Sequence, residues 1–310
     1  MEACALRKIR SEIVGTVIGR VEQSVPLRNA MAFAAVTGAY EPCYFDDRIG
    51  PSPLVAPCFV VALEWAILDG PGWRGALGAD QRMMQECVHV VQDSRFPQPL
   101  RVGDTVETTG RVVAARQTRA GVLVHVMLQT RRMPAMELCA ESLFSAIFLR
   151  AELDGQPPEP LVTLPALRSE RDVVPGGTEI VLEVDRALPF TYTECSGIWN
   201  PIHTERGAAQ AAGFADVLLH GTCTWAMSAN AVVTRLLGGD PTRLRRFAGA
   251  FHAPVIPPQR LSLALAPEAT ISAPSGSAAP SPRQIALCVR TAANQLALHS
   301  VIAEIEPTSQ

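Results

Sequence analysis

The sequence predicts an α+β chain made of two tandem units, each a long helix wrapped by an antiparallel sheet. Three observations carry this. First, the 310 residues are close to twice the roughly 150 that serve as a prior for one domain. Second, a spacing recurs: Phe33, Gly38 and Pro42 in FAAVTGAYEP return at a constant offset as Tyr192, Gly197 and Pro201 in YTECSGIWNP. Third, each half runs through a stretch of helical period and length, Leu54 to Leu68 and then Leu218 to Leu237, into β-rich segments.

Those segments are Thr105–Ala115, Val122–Thr130 and Leu143–Leu149 in the first half, and Arg260–Ala266, Gln284–Thr291 and Ser300–Ile305 in the second. Each series is entered through a proline-bearing approach in which Pro99-Leu100 aligns with Pro254-Val255. Short connections between such strands suit hairpins, and a helix packed on three or four antiparallel strands is a stable layer arrangement. The predicted division is a first unit over residues 1–150, a linker over 151–175 and a second unit over 176–310. The linker is read from its Pro, Glu and Asp content and its lack of periodicity, whereas the Pro/Ser/Gly/Ala stretch Ala273–Pro282 reads as a loop between strands.

Composition excludes several function classes. Hydrophobic residues make up 48% and charged residues 18%, too apolar for a disordered chain and too interrupted for membrane spans. Net charge is −3 with no basic stripe, so neither nucleic acid nor a membrane surface is expected as a partner. The N-terminal residues carry charge throughout and lack a signal-peptide pattern, which leaves the cytoplasm as the expected compartment. Eight scattered cysteines without a C-x-x-C pair predict free thiols, with neither disulfides nor structural zinc.

The strongest local signal is Tyr192–Val233. Asn200-Pro201 is a turn former that would hold His203 on a short rigid loop, and an imidazole titrates near neutrality. His220-Gly221 opens the long apolar helix, whose free N–H groups and positive dipole end can polarise a carbonyl oxygen, with Gly221 allowing close approach to the backbone. Ser228 lies further along that helix, where a serine also commonly bonds back to the preceding turn. Trp199, beside the loop, could cap a tunnel or simply pack. His89, in the alternating run ECVHVVQD, reads as a core or sheet-edge histidine.

The string SGIWNPIH, followed by a small-residue run, GF and LHG, resembles the signature of the MaoC-like family, which includes (R)-specific enoyl-CoA hydratases (hydratase 2). Tyr192, Ser196, Gly197, Asn200, Pro201 and His203 match the family pattern. The resemblance implies a double hotdog fold, with a degenerate first unit holding the acyl chain and a second unit carrying the chemistry. It implies addition of water to a 2-enoyl thioester, or its removal from the 3-hydroxy form, on coenzyme A or an acyl carrier protein, the acyl group being a fatty acid or polyketide.

In the family an Asp and a His hold the water between them, and the glycine amide of the H-G motif steadies the thioester oxygen. By that analogy His203 is the acid or base, Gly221 the oxyanion donor and Asn200 a loop anchor, while His220, Trp199, Ser228 and Ile198 line the substrate. The family's Asp falls at Ile198, which moves no proton. Three readings stay open. Glu194, one helical turn earlier, or Glu205, two residues beyond His203, could replace the acid; His203 could work alone in isomerisation, conjugate addition or cyclisation; or the chain could bind thioesters without turnover. No metal, flavin or nicotinamide is implied, and pairing with a second copy or a related hotdog chain is left open.

Overall fold

The computed structural model describes residues 7–48, 50–164, 178–266, 269–270 and 283–306. The first half contributes β1 (Arg7–Arg10), β2 (Val17–Ser24), α1 (Leu27–Val36), α2 (Pro42–Phe45), α3 (Val60–Leu68), α4 (Pro71–Leu77), α5 (Gln81–Gln85), β3 (Cys87–Arg95), β4 (Thr105–Gln117), β5 (Gly121–Arg132), β6 (Glu137–Leu149) and β7 (Ala151–Asp154). The second contributes β8 (Glu179–Val184), α6 (Leu188–Ser196), α7 (Arg206–Ala211), α8 (Gly221–Leu236), β9 (Leu244–Phe251), β10 (Gln259–Leu265), β11 (Ala269–Thr270), β12 (Arg283–Arg290) and β13 (Leu296–Ile305).

Ten strands form one sheet in the order β2-β4-β5-β6-β3-β9-β13-β12-β10-β8, with β11 added on β12. The order reads as two five-stranded halves turned about their shared β3–β9 edge, which pair antiparallel from Val91↔Ala250 to Arg95↔Arg246. This is the predicted α+β architecture, with the two sheets joined side by side.

Backbone hydrogen bonds repeat between the halves in detail. Leu54 N–H donates to Cys43 O at 2.8 Å, and Leu218 N–H to Ile202 O at 3.1 Å. Val55 N–H donates to Leu100 O at 3.0 Å, and Leu219 N–H to Val255 O at 2.8 Å. Thr37 Oγ1 and Ser196 Oγ bond back to Phe33 O and Tyr192 O, at 2.7 and 2.6 Å. Tyr44 therefore stands where His203 stands in the second half, and Ala56-Pro57 where His220-Gly221 stand.

These bonds also correct the helix limits. Leu218 and Leu219 are held extended by their partners, so α8 begins only at Gly221. In the first half Leu54 bridges Arg101, and Pro57 opens a single 3-10 turn, Pro57–Phe59, before α3 starts at Val60. The linker reading of 151–175 also changes: its first four residues form β7, which pairs parallel with β1 from Arg7↔Ala151 to Arg10↔Asp154. Residues 165–175 and the loop reading of 273–282 lie outside the described residues. The seven described cysteines carry free thiols.

Helix α8 is buried on nearly every face, from Cys223 to Val233, because the sheet wraps it on one side and the first half covers the other. Two of its buried polar side chains find partners inside the protein, whereas Thr224 Oγ1 and Trp225 Nε1 meet none among the described residues. Ser228 Oγ donates to Thr224 O at 2.7 Å, and Asn230 Nδ2 donates to Thr37 O at 3.0 Å across the two halves.

The seam is fastened by charge as well. Arg246 grips Asp93 through two bonds of 2.7 Å, Nε to Oδ1 and Nη2 to Oδ2, and reaches Glu304 with Nη1 at 2.7 Å. Both Asp93 and Arg246 are buried, so removing one partner strands an ion out of water. Asp93→Ala is expected to cost about 3 kcal/mol or more of unfolding free energy in urea titration. A loss below about 1 kcal/mol, the range of an exposed pair, would contradict this account of the seam.

Candidate active site

Helix α6 stops at Gly197, whose φ of 70° is the left-handed conformation that glycine adopts without strain. The chain then crosses Ile198 and Trp199 to Asn200, which is extended and caps the next turn, its Oδ1 accepting from Ile202 N–H at 3.3 Å. Pro201–His203 form a single 3-10 turn, with His203 N–H donating to Asn200 O at 3.0 Å. Asn200 thus caps the turn that carries His203.

The turn delivers His203 to the start of α8. Its Nδ1 lies 2.9 Å from Leu218 O, and its ring stacks on that of His220 with centroids 3.7 Å apart and planes 24° from parallel. A carbonyl oxygen only accepts, so Nδ1 of His203 carries the proton and Nε2 keeps its lone pair. His220 has the opposite tautomer: Nε2 donates to Ile198 O at 3.0 Å, and Nδ1 keeps the lone pair. Tyr192 packs its ring 4.9 Å from His220 and donates its hydroxyl to Thr222 Oγ1 at 3.0 Å.

Both imidazoles are neutral at neutral pH. Burial pulls His203 down to about 4, partly opposed by its bond to Leu218 O. Burial, followed by the neighbouring His203, pulls His220 well below the ordinary histidine value. Among the described residues no protein acceptor takes the Gly221 N–H, as expected of a first helical amide.

Gly221 is a glycine for a reason the sequence does not show. A Cβ there would stand 2.7 Å from Cδ1 of Phe251, so that ring occupies the space over its Cα. Phe251 in turn packs 4.7 Å from His89, which comes from β3 of the first half and also meets Phe144 at 4.3 Å. His89 therefore lies at the seam, one aromatic ring away from the start of α8.

Other expected site residues are placed elsewhere. Glu194 and Glu205 are exposed, and among the described residues no carboxylate is hydrogen-bonded to His203 or His220. Glu194 leaves α6 on its solvent face, and Glu205 sits beyond the turn at the start of α7. Trp199 is 55% exposed, at the surface beside the turn. Ser228 is fully buried and spends its hydroxyl on Thr224 O. Ile198 is buried and enters the site through its carbonyl, the acceptor for His220.

At the first half's counterpart of the helix start, a cavity of about 20 Å³ is lined by Leu54, Val55, Pro57, Leu100 and Leu244. That volume suits a water molecule rather than an acyl chain. Tyr44 lies buried nearby in sequence, in the place of His203. Among the described residues no three His, Cys, Asp or Glu side chains gather as metal ligands, and no helix is long and apolar enough to cross a membrane.

What sequence reading missed was the stacking of the two histidines and the approach of His89 through Phe251. The H-x₁₆-H spacing carries no helical or strand period that would announce either contact.

These buried groups set opposing pH dependences. His89, His125 and His203 are each lowered by burial from 6.5 to about 4, so below 6.5 the unfolded chain takes up protons that the folded one refuses. Stability is therefore present above about 6.5 and is lost as pH falls toward 4. Glu64 on α3 behaves in reverse. Burial raises it from 4.5 to about 8 despite bonds from Gln92 and Ser142, so its contribution is present below 4.5 and lost as pH rises toward 8. Urea unfolding across pH 5 to 8 should show maximal stability near the middle, and Glu64→Gln should flatten the alkaline decline. An unchanged decline in that variant would exclude Glu64 as its source.

With this geometry in view, residues 12–134 match the model of the FAS1-like dehydratase domain region, and residues 175–272 that of the MaoC like domain. The chain is 39% identical over 66 residues to peroxisomal multifunctional enzyme type 2 of Mus musculus, covering 21% of this chain and 9% of that protein. It is 36% identical over 99 residues to peroxisomal enoyl-CoA hydratase 2 of Arabidopsis thaliana, covering 28% and 32% respectively. With 3-hydroxyacyl-thioester dehydratase Y of Mycobacterium tuberculosis it shares 38% identity over 79 residues, covering 25% and 26%. The matches thus span less than a third of the length of these curated relatives.

Among solved structures, a MaoC-like dehydratase from Phytophthora capsici superposes with a TM-score of 0.76 at 15% identity, covering 95% of this chain and 97% of that one. A conserved hypothetical protein of Mycobacterium tuberculosis with a double hotdog fold superposes with a TM-score of 0.58 at 16% identity, covering 94% and 95%. Identities this low speak for the fold. The chain thus carries a FAS1-like dehydratase region over residues 12–134 and a MaoC-like domain over residues 175–272, on a double hotdog fold.

Proposed function

We propose that this protein adds water across the double bond of 2-enoyl thioesters, or removes it from 3-hydroxyacyl thioesters, with the acyl group carried on coenzyme A or an acyl carrier protein. The observation that carries this reading is the bond from His203 Nδ1 to Leu218 O, two residues before His220 and the start of α8. It fixes the tautomer and leaves Nε2 its lone pair, on a ring stacked against that of His220, the residue before Gly221. The named relatives, an enoyl-CoA hydratase and a 3-hydroxyacyl-thioester dehydratase among them, support the same chemistry.

In the hydration direction His203 Nε2 accepts a proton from water as its oxygen bonds to Cβ. The π electrons move through Cα onto the thioester oxygen, where the Gly221 N–H and the positive end of the α8 dipole steady the charge. The imidazolium then returns its proton to Cα. The neutral resting state of His203 suits this, because only a neutral imidazole can begin as the base. The first half packs against the acyl group near the seam, where its His89 meets Phe251 of the second half.

The purified protein should hydrate 2-enoyl thioesters, followed as loss of conjugation absorbance, and His203→Ala should lower kcat by about a hundredfold to ten-thousandfold. Wild-type protein inert toward every enoyl thioester offered would end the hydratase reading. A change in thioester mass without hydration, dependent on His203, would favour isomerisation or another reaction begun by the same base.

A further inference from the structure

A water molecule poised to attack carbon needs its oxygen lone pair free and both of its O–H bonds held by acceptors. His203 Nε2 is one acceptor. Position 198, an isoleucine that offers only its carbonyl to His220, supplies no second one.

His220 does have an acceptor to spare. Its ring is 2% exposed, and its Nδ1 meets no hydrogen-bond partner among the described residues, although buried polar atoms are nearly always paired. Nothing about the ring's placement is loose. Nε2–H is fixed on Ile198 O at 3.0 Å, one face stacks on His203 at 3.7 Å, and Tyr192 packs at 4.9 Å. The opposed tautomers of the stacked rings leave one lone pair on each, His203 Nε2 and His220 Nδ1, on two rings held face to face at the helix start.

We propose that His220 is a catalytic residue of the hydration reaction, its Nδ1 accepting one O–H of the attacking water while His203 Nε2 accepts the other. The inference rests on the hydratase reading above. In the step it describes, the proton on the His203 side leaves the water as the O–Cβ bond forms and returns through the imidazolium to Cα. The proton on the His220 side stays on oxygen and becomes that of the product hydroxyl, so no proton is gained or lost overall. His220 thereby fills the part that a carboxylate at position 198 would play.

The test compares kcat and KM for enoyl thioester hydration in wild type, His220→Gln, His203→Ala and the double variant Ile198→Asp/His220→Gln. Glutamine can still donate to Ile198 O, so it keeps the anchor while removing the Nδ1 acceptor. The expected result is a kcat lower by about a hundredfold or more for His220→Gln, with KM and melting temperature close to wild type. The double variant should recover at least about tenfold, because an aspartate at 198 restores a second acceptor beside His203.

If His220→Gln retains activity near wild type while His203→Ala is inactive, His220 holds no water and the hydratase reading stands without it. If His220→Gln loses activity and the added aspartate does not restore it, the ring acts through packing and this proposal is overturned. A wild-type protein without hydratase activity would overturn both readings together.

Discussion

The pairing of β3 with β9 is the constraint on which the rest of this molecule depends. It joins two five-stranded halves into one sheet, and its register sets Asp93 against Arg246 in a buried, doubly bonded pair. Such a pair contributes little net stability over an apolar substitute, but it heavily penalises any arrangement that separates the partners. It therefore acts on register more than on energy. With the register fixed, His89 of one half and Phe251 of the other meet, and Phe251 closes over the Cα of Gly221.

The site itself is organised by withdrawal from water. Two imidazoles stacked face to face could not both be protonated without strong repulsion, and burial already disfavours the charge on each. Backbone carbonyls then choose the tautomers, Leu218 O holding His203 by Nδ1 and Ile198 O holding His220 by Nε2. Main-chain acceptors thus do here what a carboxylate often does, orienting the rings without adding a titrating partner. The consequence is a site of neutral bases next to a helix amide, suited to charge that develops on the substrate.

The two halves illustrate how one scaffold separates shape from chemistry. The bonds that hold the second half's turn and helix start recur in the first, Leu54 to Cys43 and Val55 to Leu100, yet Tyr44 and Ala56 replace the two histidines. Phenol and methyl groups keep the turn filled, and burial raises Tyr44 well above the ordinary tyrosine range. The first half keeps the turn without either imidazole, so retention of the turn residues alone is no evidence of activity.

Much of this was legible in the sequence, because it is set by local chemistry. Proline and glycine fix turns wherever they occur, so the recurrence of Gly38-Pro42 as Gly197-Pro201 announced the repeat, and Asn200-Pro201 announced the short turn carrying His203. Apolar periodicity located both central helices, although it began them too early, since Leu54, Leu218 and Leu219 look helical in pattern but are held extended by distant carbonyls. The carboxylates Glu194 and Glu205 were close to His203 in sequence and are exposed in space: the break at Gly197 ends the helical phase that related Glu194 to Ile198, and Glu205 already belongs to the start of the next helix. Tertiary structure alone decided the stacking of His220 on His203, the free Nδ1, the approach of His89 across the seam and the need for glycine at 221. Each is a contact between side chains brought together by sheet pairing, and no local preference encodes which distant ring will fill a given space.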